Sequence, residues 1–332
     1  MLRVFVTHNP EDCDVYYGRA MPALAAIDGV DVVRNPLDRD LTEEELVASA
    51  VGCQVIVAHR STPASAATFT ALPELLAFLR TAVDVSTIDV DAASRAGVAV
   101  GHADRSFVAS TAELALGLIL DLLRNITEST IDYRNGVQPP QRSGRQLRGR
   151  TVGVIGYGAI GRYLADALRS LRVQVLVHDP HVDAESDGFE RADLHDLLGR
   201  VDIVVPLAGS TPETRGLIDA DALRSMRRGT LLVNVSRGEL LDEEAVAAAL
   251  DSGHLGGLAI DVGRAPDQRP SPQIASRAGV IATPHLGGLT PENADVQALS
   301  SVEQVRAIAS GEFPPRIVNP EHADRLHRWW AR

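Results

Sequence analysis

The run Val152-Gly153-Val154-Ile155 ends in Gly156-Tyr157-Gly158-Ala159-Ile160-Gly161, and no other stretch limits so tightly what the chain can fold into. An apolar segment of strand character stops at a Gly-x-Gly-x-x-Gly. A segment of helix character, Arg162 to Ser170, follows at once, and a second strand-like run, Val173 to His178, ends at Asp179. This is the order of a βαβ unit that holds a dinucleotide. The first glycine takes the tight turn, the second lets a pyrophosphate approach the backbone, and the third lets the helix pack on the strand. Unpaired N–H groups at the helix N-terminus suit the phosphates. Glycine spacing alone is a weak signal; strand, glycines, helix, strand and acid in that order are a strong one. Asp179 stands where a 2′-phosphate would have to go, and no Arg follows in Pro180-His181-Val182-Asp183, so NAD is expected over NADP. A protonated His181 is the one neighbour that would weaken this expectation.

The 332 residues are enough for two domains, and 45% hydrophobic with 23% charged residues is the composition of a globular protein. A net charge of −12 argues against nucleic acid and anionic membrane surfaces as partners. Cys13 and Cys53 have no paired spacing, which predicts neither a disulfide framework nor a zinc site, and no metal is expected. Met1 to His8 reads as a first strand without the features of a signal peptide, and no apolar run is long enough to span a bilayer. The expected location is cytoplasmic. All basic residues are Arg; the absence of Lys excludes a Schiff-base lysine and a phosphate-loop lysine.

The first hundred residues alternate strand signals (Leu2 to Thr7, Val30 to Arg34, Val55 to His59, Val98 to Val100) with helix signals (Met21 to Ile27, Leu41 to Ala50, Leu72 to Leu79, Asp89 to Arg95). Repeated βα units imply a parallel sheet covered on both faces. A long helix is expected from Ser110 to about Asn125; its leucines and Ile119 occupy most of its circumference, so it requires burial within the chain or in a subunit interface. Asn135 to Arg150 reads as a surface connection. Strands are expected again at Val201 to Val205, Leu231 to Val235, Leu258 to Ile260 and Val280 to Ala282, with helices from Asp242 to Leu250 and Glu292 to about Ala309.

In open parallel sheets ligands bind beyond the carboxyl ends of the strands. Three polar residues stand there: Arg237 after Leu231-Leu232-Val233-Asn234-Val235-Ser236, Asp261 after Leu258-Ala259-Ile260, and His285 after Val280-Ile281-Ala282-Thr283-Pro284. Taken singly, each has a blander reading: a surface ion pair, a local cap, a turn histidine. Their joint placement favours chemistry. Reducing a 2-keto acid needs a cation to hold the carboxylate and polarise the carbonyl, a task for the planar fork of Arg. It also needs an acid for the developing alkoxide, a task for His.

These residues resemble the D-isomer-specific 2-hydroxyacid dehydrogenases, a family that includes phosphoglycerate, glycerate and formate dehydrogenases. The resemblance covers almost the whole chain. It rests on Gly156 to Gly161, Thr211-Pro212-Glu213-Thr214-Arg215-Gly216-Leu217-Ile218, Val233-Asn234-Val235-Ser236-Arg237-Gly238, Asp261-Val262 and Thr283-Pro284-His285-Leu286-Gly287-Gly288. It implies an α/β fold of two doubly wound parallel-sheet domains. A Rossmann NAD-binding domain, 103–289, would be inserted in a flavodoxin-like substrate domain made of 1–102 and 290–332, and the long helix from Ser110 would mediate a homodimer. It implies Arg237 as the substrate-binding arginine and His285 as the acid/base. Asp261 would touch the nicotinamide carboxamide. Gly156, Gly158, Ala159, Ile160, Gly161, Asp179, Val235, Ser236, Gly287 and Gly288 complete the expected cofactor contacts. Ala82, Val83 and Asp84 are the expected substrate loop.

Three departures qualify it. Relatives have a Glu before a Pro that hydrogen-bonds the histidine; here Ala265 precedes Pro266, which loosens the imidazole's orientation unless a neighbour such as Asp267 substitutes. The substrate loop is glycine-rich in relatives; here Ala82 replaces a Gly and Asp84 stands where a Gly or a cation is usual. Leu207-Ala208-Gly209 replaces a usual His-x-Pro. The leading expectation is an NAD-dependent oxidoreductase moving a hydride between nicotinamide and a 2-hydroxy or 2-keto acid. The alternative is a non-catalytic NAD(H)-binding regulator of the same fold. A third reading keeps the enzyme and gives it a cationic substrate that answers Asp84.

Overall fold

The computed structural model describes residues 1–13, 17–265 and 267–331. The chain forms two compact units, residues 1–106 with 291–332 and residues 107–290. Both are parallel α/β sheets. The first has five strands: β1 (Leu2–Val6), β2 (Val30–Arg34), β3 (Val55–Ala58), β4 (Ala77–Arg80) and β5 (Ala99–Gly101), in the order β2-β1-β3-β4-β5. The second has seven: β6 (Thr151–Ile155), β7 (Gln174–His178), β8 (Glu190–Arg191), β9 (Ile203–Pro206), β10 (Thr230–Asn234), β11 (Leu255–Ile260) and β12 (Val280–Ala282), in the order β12-β11-β10-β9-β6-β7-β8. All pairings between these strands are parallel.

Side chains alternate across a strand, so a strand buried on both faces feeds two cores. In the second unit Val152 and Val154 enter one core while Ile155 enters the other; Val175 and Val177 part from Leu176 in the same way, and Leu231 and Val233 from Leu232. In the first unit Val4 and Val6 face one core and Phe5 the other, as do Val55 and Val57 against Ile56. This double burial is why the strands read as unbroken runs of Val, Leu and Ile.

Helix starts follow their caps. Thr42 and Glu45 form a reciprocal capping box ahead of helix Glu43–Ser49; the Asp89, Asp219 and Asp242 carboxylates each accept a backbone N–H from the first turn they cap. One expectation is overturned: Leu72 to Leu79 is not a helix. The helix lies upstream, Ala66–Ala71, capped by the Ser65 side chain on Ala67 N, and the apolar run past Pro73 becomes strand β4, paired on both sides by β3 and β5. A short apolar run has no periodicity that separates a buried strand from a buried helix.

In the second unit, helix Phe107–Arg124 buries Ala112, Ala115, Leu118, Ile119 and Leu123 against β6, β7, β9 and β10 residues of one core. It breaks at Asn125, which takes a left-handed φ of 54°, and a further helix, Ile126–Arg134, follows. In the first unit, helix Pro291–Ser310 packs Ala298, Val302, Val305 and Ile308 on the sheet. Trp329 and Trp330, whose purpose the sequence leaves open, pack on this same core from helix Asp324–Trp330, and Trp330 Nε1 donates to Ile308 O at 3.0 Å. Among the described residues, no helix is long and apolar enough to cross a membrane.

Candidate active site

The candidate site is the carboxyl edge of the seven-stranded sheet. Strand order reverses between β6 and β9, the place where a parallel sheet opens a crevice for ligands. Gly156 leaves β6 with φ 99°, and a Cβ there would stand 2.6 Å from Ala208 N, on the loop after β9. Only glycine lets these two loops meet. A Cβ on Gly161 would collide with Gly156 O, so the helix Ala159–Ser170 can seat this close to the turn only with glycine there. At Gly158, the N-cap, an added Cβ would meet nothing within 4 Å, and no side chain caps the helix. Ala159, Ile160 and Gly161 form its first turn, which carries no acid. Bare backbone N–H groups, a favourable dipole and open ground above Gly158 fit a pyrophosphate.

At the end of β7, Asp179 Oδ2 accepts from Tyr157 N at 2.7 Å, and Oδ1 accepts from His181 N at 2.8 Å and Val182 N at 3.1 Å. Burial raises this carboxyl, but the three backbone N–H groups outweigh it and hold it below the usual carboxylate range. A fixed negative charge next to the glycine turn suits ribose hydroxyls and repels a 2′-phosphate. The edge therefore fits NAD.

The other half of the site is built from the ends of β10, β11 and β12. Asn234, wholly buried, donates from Nδ2 to Arg237 O at 2.8 Å and accepts Ser236 N on Oδ1 at 3.0 Å, folding Val235-Ser236-Arg237 into a fixed turn. Ser236 Oγ donates to Ala208 O at 2.7 Å, which ties this turn to the loop beside Gly156. Arg237 is half-buried, and its guanidinium donates to Ser236 O at 2.8 Å. Gly238 lies so close to the Gly263 backbone that a Cβ would stand 2.6 Å from Gly263 Cα, so the loops after β10 and β11 touch through glycines.

Asp261 is wholly buried. Its Oδ1 accepts from Thr283 Oγ1 at 2.6 Å and Leu286 N at 2.7 Å, and its Oδ2 accepts from Gly287 N at 2.8 Å. The resemblance gives this residue to the nicotinamide carboxamide. In the structure its carboxylate holds the 283–287 loop, including the Gly287-Gly288 turn. The loop carries His285, whose N–H reaches Asp261 O at 2.9 Å and whose φ is 63°, a left-handed conformation that a histidine holds only where its surroundings impose it.

The edge thus brings together the segments of Gly156 to Gly161, Asp179, Val235, Ser236, Arg237, Asp261, His285 and Gly287. Asp267 does not take up the role of the missing Glu as its hydrogen bonds stand. Its Oδ1 accepts from Arg269 N at 3.1 Å, and its Oδ2 lies 3.7 Å from Arg269 Nε. Ala265 is exposed, and Pro266 lies outside the described residues. Ala82, Val83 and Asp84 belong to the first unit, in the loop after β4. There Ala82 O accepts Ala103 N at 3.1 Å, and the exposed Asp84 accepts Ser86 N at 2.9 Å. Sequence reasoning passed over Asn234 and Thr283 as site residues. An Asn three positions before the turn's Arg, with a side chain that habitually bonds backbone two residues on, is the signal for the first.

Residues 116–287 match the model of the D-isomer specific 2-hydroxyacid dehydrogenase, NAD binding domain. The D-3-phosphoglycerate dehydrogenase of Mycobacterium tuberculosis is 36% identical over 286 residues, 85% of this chain and 53% of that protein. The chain thus spans about half the length of the phosphoglycerate dehydrogenase it matches. The (S)-sulfolactate dehydrogenase of Chromohalobacter salexigens is 36% identical over 269 residues, 79% of this chain and 86% of that protein. The solved structure of the TT0316 protein from Thermus thermophilus superposes with a TM-score of 0.84 at 28% identity, covering 96% of this chain and all of that one (100%). The chain belongs to the D-isomer specific 2-hydroxyacid dehydrogenase family.

Proposed function

We propose that this chain is an NAD-dependent oxidoreductase acting on a 2-hydroxy or 2-keto acid. Bound NAD supplies the hydride acceptor or donor. Gly156, Gly158 and the first turn Ala159-Ile160-Gly161 hold its pyrophosphate, Asp179 its ribose hydroxyls, and the backbone at Val235, Ser236, Gly287 and Gly288 its nicotinamide end. Arg237 grips the substrate carboxylate and polarises the carbonyl at carbon 2, and His285 gives or takes the proton at the oxygen of that carbon. Asp261 fixes the loop that presents His285. The loop Ala82-Val83-Asp84 supplies backbone N–H groups to the substrate carboxylate.

The observation that carries this reading is the lacing of three adjacent strand ends. Asp261 N reaches Asn234 O at 3.0 Å, and His285 N reaches Asp261 O at 2.9 Å, so the segments that carry Arg237 and His285 share one backbone network. The relatives' names supply the panel: the keto acids corresponding to lactate, phosphoglycerate and sulfolactate, mixed with NADH and the purified chain. Oxidation of NADH with at least one of them is expected, and none with NADPH at equal concentration. Tight NADH binding with no turnover across the panel would refute the enzyme reading.

The same reading places the protein in the cytoplasm as a homodimer. Leu120 (38% exposed), Ile126 (53%), Ile131 (44%) and Tyr133 (66%) leave apolar surface along Phe107–Arg124 and the helix after it, which supports a second copy as its cover. Light scattering at the monomer mass would refute the dimer.

A further inference from the structure

Arg80 ends β4 and is 0% exposed; of the described side chains without accessible surface it is the largest. A buried guanidinium is costly unless its donors find acceptors. Arg80 donates to His59 O, to Thr62 O at 2.8 Å and to Thr87 Oγ1 at 2.7 Å. Two of these acceptors belong to the loop after β3 and one to the loop after β4. No carboxylate forms a salt bridge with it among the described residues. Burial pulls the guanidinium down to about 10, with Asp84 opposing, so it remains a cation at neutral pH.

Between Arg80 and Thr87 lies the loop Ala82-Val83-Asp84. Its start is pinned by Thr81 N and Oγ1, which both donate to Ala58 O (3.0 and 3.1 Å), and by Ala82 O, which accepts Ala103 N. We propose that Arg80 is a positioning residue for the substrate's carboxylate. Its bond to Thr87 Oγ1 closes the loop of residues 81–86 at its far end, its bonds to His59 O and Thr62 O fix the guanidinium against the loop after β3, and its buried charge offsets the negative charge that Asp84 brings. The proposal rests on the reading of this loop as part of the substrate site. It also explains how a carboxylate in the loop is compatible with an anionic substrate, without a cationic one. Lys would not serve. Its point charge has no planar fork to span acceptors on two loops.

The test uses the full chain and four variants: Asp84→Asn, Thr87→Val, Arg80→Gln and Arg80→Gln with Asp84→Asn. For the best keto acid of the panel, D84N is expected to lower KM about threefold with kcat within about twofold, and R80Q to raise KM about tenfold. NADH affinity should stay within about twofold in all of them. Adding D84N to R80Q is expected to recover at least about three quarters of the logarithmic loss, more than the roughly half that two independent effects would give, because removing one charge answers the loss of the other. A purely structural Arg80 gives no more than that additive half, and such a result overturns the charge role. Should R80Q fail to fold, an unchanged KM in D84N overturns that role by itself. The positional role is read without turnover. T87V is expected to speed hydrogen exchange at amides 81–86 about tenfold relative to those of the seven-stranded sheet, and equal exchange overturns it. A chain that turns over no keto acid, yet shows this exchange, counts against the functional reading and not against Arg80.

Discussion

Asp261→Asn isolates what the buried carboxylate does, because it keeps the shape and removes one acceptor and the charge. Three donors converge on Asp261: Thr283 Oγ1, Leu286 N and Gly287 N. The Thr hydroxyl can rotate to accept, but the two backbone N–H groups cannot. Whichever way the amide is placed, one of them faces another donor in a site without accessible surface. A buried donor left unmade costs about 1–3 kcal/mol, and loss of charge assistance in the remaining bonds brings the total to about 2–4 kcal/mol. For a unit of this size each kcal/mol moves Tm by about 2–4 °C, so the unit 107–290 should melt roughly 5–15 °C lower. The loop that then relaxes carries His285 at φ 63°, a conformation costing on the order of 1 kcal/mol that its surroundings must hold. If His285 is the proposed acid/base, its release should lower kcat about 10–100-fold. No bond runs from Asp261 to the Gly156 loop among the described contacts, so the NADH dissociation constant should change less than about threefold. Calorimetry, steady-state kinetics and NADH fluorescence titration read these three quantities separately. A variant that melts within about 1 °C of the parent and turns over equally would refute the loop-holding role.

Why the carboxylate's role needed coordinates is a matter of sequence distance. The position of Asp261 at a strand end is legible from Leu258-Ala259-Ile260, but its partners arrive with the next strand's loop, 22, 25 and 26 residues later. Nothing local tells an inward-turned carboxylate from one facing a ligand. Arg80 is the same case: its sequence neighbours say strand end, and only the loop after β3 shows that its charge is buried. The glycine turn, by contrast, was legible because the chemistry is local: Gly156 and Gly161 face one another across five residues, and Asp179 reaches Tyr157 N from the next strand. The doubly buried strands were legible for a related reason, since both faces demand apolar residues and leave uninterrupted runs. That same property hid β4, whose Leu75 to Leu79 fits either period. The helix Ile126–Arg134 buries no side chain, so it has no apolar stripe to read.

Arg237→Ala should cut kcat/KM by about a thousandfold, the loss of a charged, bidentate grip on the substrate, while NADH binding stays within about twofold. Near-parental turnover would remove Arg237 from the site. Asp179→Ala should weaken NADH binding about 10–100-fold, the worth of one charge-assisted hydrogen bond, and narrow the preference over NADPH; an unchanged ratio of the two dissociation constants would refute the ribose contact. Acid sensitivity of the five-stranded unit follows from His8, 3% exposed and stacked on Tyr17 at 4.3 Å. Burial first, then the positive neighbours His59 and Arg80, hold its pKa well below 6.5. The folded state therefore keeps His8 neutral where the unfolded chain already binds a proton. Stability is full above the unfolded value of about 6.5 and falls as pH drops beneath it, by up to about 1.4 kcal/mol per pH unit. His59, lowered by burial as well, steepens the fall. In urea melts, His8→Gln should remove the His8 share of that slope and leave the plateau above pH 7 flat. Equal slopes in parent and variant would show that the buried imidazole is not what acid attacks.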